Sequence, residues 1–198
     1  MSSRTAGWAA GLAGLALAGT VLSGPVANAA PPVPVTSVDL DRYVGRWHQL
    51  AAIPQPFNLA CARDTTAEYT PLPTGDVGVH NRCTTWAGAI DEIRGTARVN
   101  DPVTNAQLHV SFPGVPTQDR LDGPTNYIVT ALGPGYSWAV VTDPNRLSGF
   151  VLAREPALDE SGWAAVRSAI VAAGQNPCFY LTTPTTGGLA TLQPLCAR

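Results

Sequence analysis

The sequence predicts an all-β fold, in which eight short strands follow one another as an antiparallel meander. Three observations support this prediction. Short apolar and β-branched runs recur along the chain with turn residues between them. No helical pattern separates any two of these runs, so the chain has no room for the long crossover connections that parallel strands need. A single segment with helical periodicity follows the last run.

The elements can be placed in order. A short helical turn at residues 38–43 precedes the first strand. The predicted strands cover residues 46–53, 65–70, 77–85, 90–99, 107–112, 127–132, 137–142 and 150–154. Segment 71–76, rich in Pro and Gly, is typical of a hairpin connection. Eight antiparallel strands can close on themselves and so remove unpaired edges. Composition alone is compatible with a hollow barrel, a filled barrel or a sandwich.

The one predicted helix has apolar residues at helical spacing, namely Trp163, Val166, Ile170 and Ala173. Asp159 stands where an N-cap is expected, and Gly174 stands where the helix should end. The apolar stripe is narrow, so we expect this helix to lie against a larger surface rather than inside a core.

The first 29 residues are predicted to be a secretory signal peptide. Arg4 supplies positive charge, an apolar run covers residues 8–22, and residues 27–29 (ANA) have the small-x-small pattern of a cleavage site. The run is short and glycine-rich, so no stable membrane anchor is expected, although a retained anchor is the alternative. A Pro-rich leader covers residues 30–37, the strands and helix lie within residues 38–183, and residues 184–198 form a tail.

All four cysteines lie in the part of the chain that would be exported: Cys61, Cys83, Cys178 and Cys196. An even number of cysteines in an oxidising compartment indicates disulfides, and four cysteines allow three pairings. We favour Cys61–Cys83 and Cys178–Cys196 because each pair closes a short local segment. Cys196 would then tie down the tail. Neither pair has the close spacing that zinc sites favour.

The start of the first strand, residues 39–47 (DLDRYVGRW), resembles the Gly-x-Trp signature of the lipocalins, in the form found in bacterial lipocalins and apolipoprotein D. Residues 53–57 (IPQPF), 81–83 (NRC) and 150–154 (FVLAR) are similar to further lipocalin segments in the same order. The resemblance covers nearly all of residues 38–183. It implies an eight-stranded antiparallel up-and-down β-barrel with one C-terminal α-helix packed outside.

Three residues of the resemblance have a physical role in the fold. Gly45 lets the chain turn sharply into the strand, because it has no Cβ. The indole of Trp47 would fill the closed end of the barrel. In lipocalins an arginine from the last barrel strand lies across that indole, and Arg154 is the corresponding residue here.

The resemblance implies a protein that carries a small hydrophobic ligand, such as a fatty acid or lysophospholipid, with no cofactor and no catalytic residues. Gln49 and Ala51 are candidate ligand contacts because they share the strand face of Trp47. Four further candidates are chosen on size alone: Trp86, Tyr127, Val129 and Trp138.

Two other functions remain as alternatives. The barrel could act through its surface by binding a protein partner, or less readily as an enzyme of the lipocalin type. His48, His80 and His109 fall on three different strands without the local spacing of a metal site, and a lipocalin isomerase would need a free thiol. The net charge of −2 gives no electrostatic reason to expect nucleic acid as a partner.

Overall fold

The structure is a computed structural model that describes residues 30–198. The predicted signal peptide lies outside these described residues. In chain order the elements are α1 (Leu40–Tyr43), β1 (Gly45–Ala52), β2 (Cys61–Pro71), β3 (Val77–Thr85), β4 (Ile90–Val99), β5 (Gln107–Ser111), β6 (Tyr127–Leu132), β7 (Trp138–Thr142), β8 (Gly149–Ala153), α2 (Glu160–Ala172) and β9 (Leu181–Thr182). Short 3₁₀ turns cover Pro56–Ala60, Pro134–Tyr136, Pro177–Phe179 and Leu195–Ala197.

Strands β1 to β8 form a closed antiparallel barrel. Each strand pairs with the next one along the chain, and β8 returns to pair with β1. In the first pair Trp47 lies opposite Ala67, and at the closure Gln49 lies opposite Leu152. The predicted eight-stranded up-and-down barrel is therefore confirmed. The short β9 adds a ninth strand beside the end of β1.

The start of β1 closes one end of the barrel. Gly45 has a φ of +96°, a conformation that side chains with a Cβ rarely adopt. Trp47 is fully buried, and its Nε1 donates to the carbonyl oxygen of Tyr43 at 2.8 Å. The guanidinium of Arg154 lies 3.7 Å from the centre of the Trp47 ring. The same guanidinium donates to the backbone carbonyl oxygens of Arg42, Tyr43, Val44 and Arg46.

Helix α2 packs on the outside of the barrel. The carboxylate of Asp159 accepts a hydrogen bond from the backbone N–H of Gly162 at 2.7 Å, so the predicted N-cap is present. Gly174 follows the helix with a φ of +78°. The apolar stripe of α2, formed by Trp163, Val166 and Ile170, packs in one cluster with outward-facing strand residues that include Leu50, Val140 and Val151.

Two disulfides form within residues 30–198, and they are the two pairs favoured from the sequence. Cys61–Cys83 joins β2 to β3, and Cys178–Cys196 closes the C-terminal segment. The tail is also hydrogen-bonded to the barrel, because the N–H of Asp64 in β2 donates to the carbonyl oxygen of Pro184 at 2.9 Å. Strand β2 begins four residues earlier than predicted, since register shifts accommodate the positive φ of Asp64.

Candidate ligand-binding cavity

The barrel encloses a cavity of about 550 Å³. It extends from the inner strand faces to the loops at the end opposite Trp47, where Phe57 and Leu147 line it. Its volume lies within the range of about 300–1,000 Å³ that is typical of small-molecule sites. The interior of this barrel is therefore hollow rather than filled by side chains.

The wall of the cavity is mainly apolar. Because strand side chains alternate between faces, the paired residues Tyr69 and Val79 point inward while their neighbours Glu68 and His80 occupy the other face. The apolar lining comes from Ala67, Val79, Val110, Phe112, Phe150 and Leu152. A wall of this kind accommodates a hydrocarbon group without leaving polar groups unpaired.

Exposed apolar side chains surround the open end. Phe57, Leu59, Trp86 and Leu147 have 62%, 71%, 71% and 72% of their surface exposed. Hydrogen bonds connect the loops that carry them. Nε1 of Trp86 donates to the carbonyl oxygen of Leu59 at 2.9 Å, and Nε2 of Gln55 donates to that of Leu147 at 3.0 Å.

The charged residues that line the cavity within residues 30–198 are mostly acidic. Asp91, Glu92 and Asp143 contribute carboxylates, and Arg82 contributes a guanidinium. The Nε of Arg82 already lies 3.4 Å from a carboxylate oxygen of Glu92. A hydrogen bond with His80 and the charges of nearby arginines lower the pKa of Glu92, so this carboxylate stays ionised. The lining therefore favours a neutral or cationic group over an anion.

Three tyrosine hydroxyls meet between the cavity and the closed end. The hydroxyl of Tyr127 lies 2.8 Å from that of Tyr43 and 3.1 Å from that of Tyr69. Burial raises the pKa of Tyr69 to about 12 and holds the pKa values of Tyr43 and Tyr127 well above their usual range. All three hydroxyls are therefore protonated at physiological pH.

The structure places two of the predicted contact residues, Gln49 and Tyr127, in the cavity lining. Gln49 also donates from Nε2 to the Oγ1 of Thr183 at 3.1 Å. The prediction that Ala51 shares this inner face is wrong. The pairing of β1 with β8 shifts between Gln49 and Ala51, so Leu50 and Ala51 both join the cluster under α2.

The three remaining candidates, Trp86, Val129 and Trp138, do not line the cavity. Trp86 lies in the exposed connection between β3 and β4. Val129 is fully buried in the inner core, and its carbonyl oxygen accepts from the N–H of Val35 in the leader. Trp138 faces outward and packs in the cluster of α2. Side-chain size does not reveal which face of a strand a residue occupies.

Tyr69, Val79 and Leu152 line the cavity but were not predicted from the sequence. Alternation along β2 and β3 could have found the first two, once the inward position of one residue was known. The inward position of Leu152 follows only from the pairing of β8 with β1, in which Leu152 lies opposite Gln49.

The histidines contribute nothing to the cavity lining. His80 lies 3.1 Å from a carboxylate oxygen of Glu92. His109 is buried beneath the connection between β5 and β6, and its ring nitrogens lie 2.7 and 2.9 Å from the carbonyl oxygens of Pro124 and Arg120.

Within residues 30–198, no group of three or more His, Cys, Asp and Glu residues is placed to hold a metal ion. No helix in this range has the length and apolar character to cross a membrane.

Comparison with known proteins agrees with this geometry. A family model described as a lipocalin-like domain matches residues 38–183, and the chain therefore belongs to the lipocalin family. It is 30% identical over 152 residues to temperature-induced lipocalin-1 of Arabidopsis thaliana, covering 76% of this chain and 81% of that protein. It is 29% identical over 147 residues to the outer membrane lipoprotein Blc of Vibrio cholerae, covering 73% and 81%.

Among solved structures, the fold is similar to that of insecticyanin from the tobacco hornworm Manduca sexta. The TM-score is 0.57 at 16% identity, and the match covers 83% of this chain and 93% of insecticyanin. This likeness concerns the fold alone. Lipocalins are generally carriers of small hydrophobic ligands rather than enzymes, and the hollow apolar barrel is consistent with that general role.

Proposed function

We propose that this protein is a secreted carrier of a single-chain lipid, such as a fatty acid or lysophospholipid. The apolar cavity of about 550 Å³ is the observation that carries the proposal. The hydrocarbon chain occupies the cavity, and the polar head stays near the loops at the open end. Burial of apolar surface supplies the driving force, since each buried methylene contributes about 0.8 kcal/mol.

The charges near the open end discriminate among these lipids. A fatty-acid carboxylate there would lie among Asp91, Glu92 and Asp143, and Arg82 is already paired with Glu92. The positive group of a zwitterionic lysophospholipid would instead be attracted to the carboxylates. We therefore expect a lysophosphatidylcholine to bind more tightly than a fatty acid of equal chain length, most strongly at low salt.

Export is part of the proposal. All four cysteines are paired within residues 30–198, as is usual for proteins of oxidising compartments. We expect the mature protein to begin near Ala30 and to carry no lipid on its N-terminus. The intact mass of the protein recovered from the medium tests this. A retained leader, or the added mass of an acyl group, would contradict it.

Binding is tested with delipidated protein and a series of lysophosphatidylcholines that differ only in chain length. Calorimetry should show saturable binding, with affinity rising up to about fourfold per methylene until the cavity is full. Ordering of the flexible chain offsets part of this gain. If the folded protein shows no saturable binding and no dependence on chain length, the proposed function is wrong.

A variant that fills the cavity provides the structural control. Ala67 lies on the cavity wall, so Ala67→Phe should shorten the longest chain that binds well. Ala164→Phe adds the same ring to an exposed position of α2 and should leave the dependence on chain length unchanged. Equal effects of the two variants would show that the lipid binds elsewhere.

A further inference from the structure

Three tyrosine hydroxyls meet at the end of the cavity, and one of their three O–H groups has no acceptor in the protein. Tyr43, Tyr69 and Tyr127 carry three hydroxyl protons, but only two hydrogen bonds join their oxygens. Within residues 30–198, no other acceptor lies within hydrogen-bonding distance of these hydroxyls. At least one O–H therefore lacks an acceptor from the protein, and a buried donor without an acceptor is costly.

These tyrosines lie where a ligand would reach them. Tyr69 and Tyr127 line the cavity, and the Tyr43 ring packs 5.1 Å from the ring of Trp47 at the closed end. Ring contacts hold the group in place, since Tyr43 and Tyr69 stack at 5.7 Å and Tyr69 meets Tyr127 edge-on at 6.4 Å. The donors are thus preorganised at the deepest part of the cavity.

The surroundings favour an uncharged acceptor. Arg82 provides the one guanidinium among the described residues that line the cavity, and it is paired with Glu92 near the open end. The guanidinium of Arg154 lies over the Trp47 ring and is occupied by four backbone carbonyl oxygens, so it makes no hydrogen bond to the tyrosines. A carboxylate placed beside the tyrosines would be buried without a cation in contact with it, which is unfavourable.

We propose that Tyr43, Tyr69 and Tyr127 form an anchor for a neutral oxygen acceptor, a carbonyl or a hydroxyl, at the buried end of the ligand. This inference rests on the proposed function and adds one feature to the ligand: the single-chain lipid, whose head stays near the open end, carries a neutral carbonyl or hydroxyl near the far end of its chain. An alkyl chain that ends in a methyl group fills the same space but leaves the donor unpaired.

Water is the competing occupant. A water at this end of the cavity that accepts the spare hydrogen bond would leave a ligand oxygen with nothing to add to affinity. The small void of about 20 Å³ beside the same tyrosines, toward α1, has an apolar wall and does not provide a place for this water. The test distinguishes these two cases.

The test compares dodecane, 2-dodecanone and dodecanoate as displacers of a bound apolar fluorescent dye, using the full mature protein. The double variant Tyr69→Phe/Tyr127→Phe removes both hydroxyls that line the cavity and keeps the rings. We expect it to lower the affinity for 2-dodecanone by about fivefold relative to dodecane, the size of one net hydrogen bond. The ratio of dodecanoate to dodecane affinity should not change.

Tyr180→Phe is the matched control. It removes a buried hydroxyl that donates to Gln175 at 2.6 Å in the cluster under α2, away from the cavity. It should lower stability while leaving the ratio of ketone to alkane affinity unchanged. If the double variant does not fold, adding Tyr43→Phe removes the hydroxyl that is left without a partner, and the same ratio is measured.

The outcomes separate the anchor from the carrier function. An equal ketone-to-alkane ratio in the wild type and the double variant overturns the anchor but leaves the carrier function intact. A change of equal size in Tyr180→Phe also overturns it, because the effect would then be general. If the folded wild type binds none of the probes, the carrier function fails and the anchor fails with it.

Discussion

At the residue scale, Arg154 connects the end of β8 to the start of β1. Its guanidinium covers the Trp47 ring and donates to four backbone carbonyl oxygens within residues 42–46. The planar fork of five N–H donors suits this arrangement, whereas an ammonium group offers three donors at one point. Arg154 therefore stabilises the closed end through hydrogen bonds as well as through its contact with the indole.

We expect Arg154→Lys to lower the free energy of unfolding by about 2 kcal/mol, because several carbonyl oxygens lose their donor. Urea denaturation measures this. Arg94→Lys is the control, since the Arg94 side chain is 69% exposed and its contact with Glu92 spans 3.8 Å. Equal stability of Arg154→Lys and the wild type would show that the stacking of a cation on Trp47 suffices.

A second prediction at this scale concerns alkaline pH. Burial raises the pKa of Tyr69 from 10.0 to about 12, so the unfolded chain loses this proton at lower pH than the folded protein does. The contribution of Tyr69 to stability is complete below about pH 10 and is lost as the pH rises toward 12. The urea midpoint should therefore fall between pH 9 and pH 11, and it should fall less in Tyr69→Phe. An identical fall in both proteins would contradict this assignment.

At the scale of elements, α2 contributes to the packing of the outer face, whereas the barrel strands form the cavity. The helix covers the outward faces of β1, β7 and β8 and takes no part in the cavity lining. Its buried residues should therefore matter for stability and not for the choice of ligand.

We expect Ile170→Ala to lower the free energy of unfolding by about 2–4 kcal/mol, because Ile170 is fully buried. Ligand affinity should stay the same as long as the protein is folded. Val171→Ala, one residue further along α2 and 61% exposed, should change stability by less than about 0.5 kcal/mol. Loss of binding in folded Ile170→Ala would show that the helix and the cavity are coupled.

At the scale of the whole molecule, the two disulfides differ in where they lie. They span 22 and 18 residues, so by chain entropy each should contribute about 3 kcal/mol to stability. Cys61 and Cys83 also line the cavity, whereas Cys178 and Cys196 fasten the C-terminal segment.

We expect replacement of either pair by serine to lower thermal stability by a similar amount. Only the loss of Cys61–Cys83 should also weaken lipid binding, because it frees the start of β2 at the cavity wall. Calorimetric titration below the melting temperature of both variants measures this difference. Equal binding by the two variants would show that strand pairing alone holds that wall in place.

The eight barrel strands, the outer helix and their order could be predicted from local sequence signals. Short apolar runs separated by turn residues predicted the eight strands. Asp159 and Gly174 predicted the two ends of the helix, and Gly45 and Trp47 predicted the start of the barrel. These signals are local, since a cap or a strand pattern depends on residues a few positions apart.

Which side chains face the cavity depends on strand pairing across the barrel, and local sequence patterns did not predict it. One irregularity in β1 moved Ala51 to the outer cluster, and the pairing of β7 turned Trp138 outward. Tyr43 lies in α1 and Tyr127 lies in β6, 84 residues further along the chain. Their hydroxyls meet because closure of the barrel brings these two elements together. The physical reason is that a shift of one residue in strand pairing exchanges the two faces, and no local pattern reports such a shift.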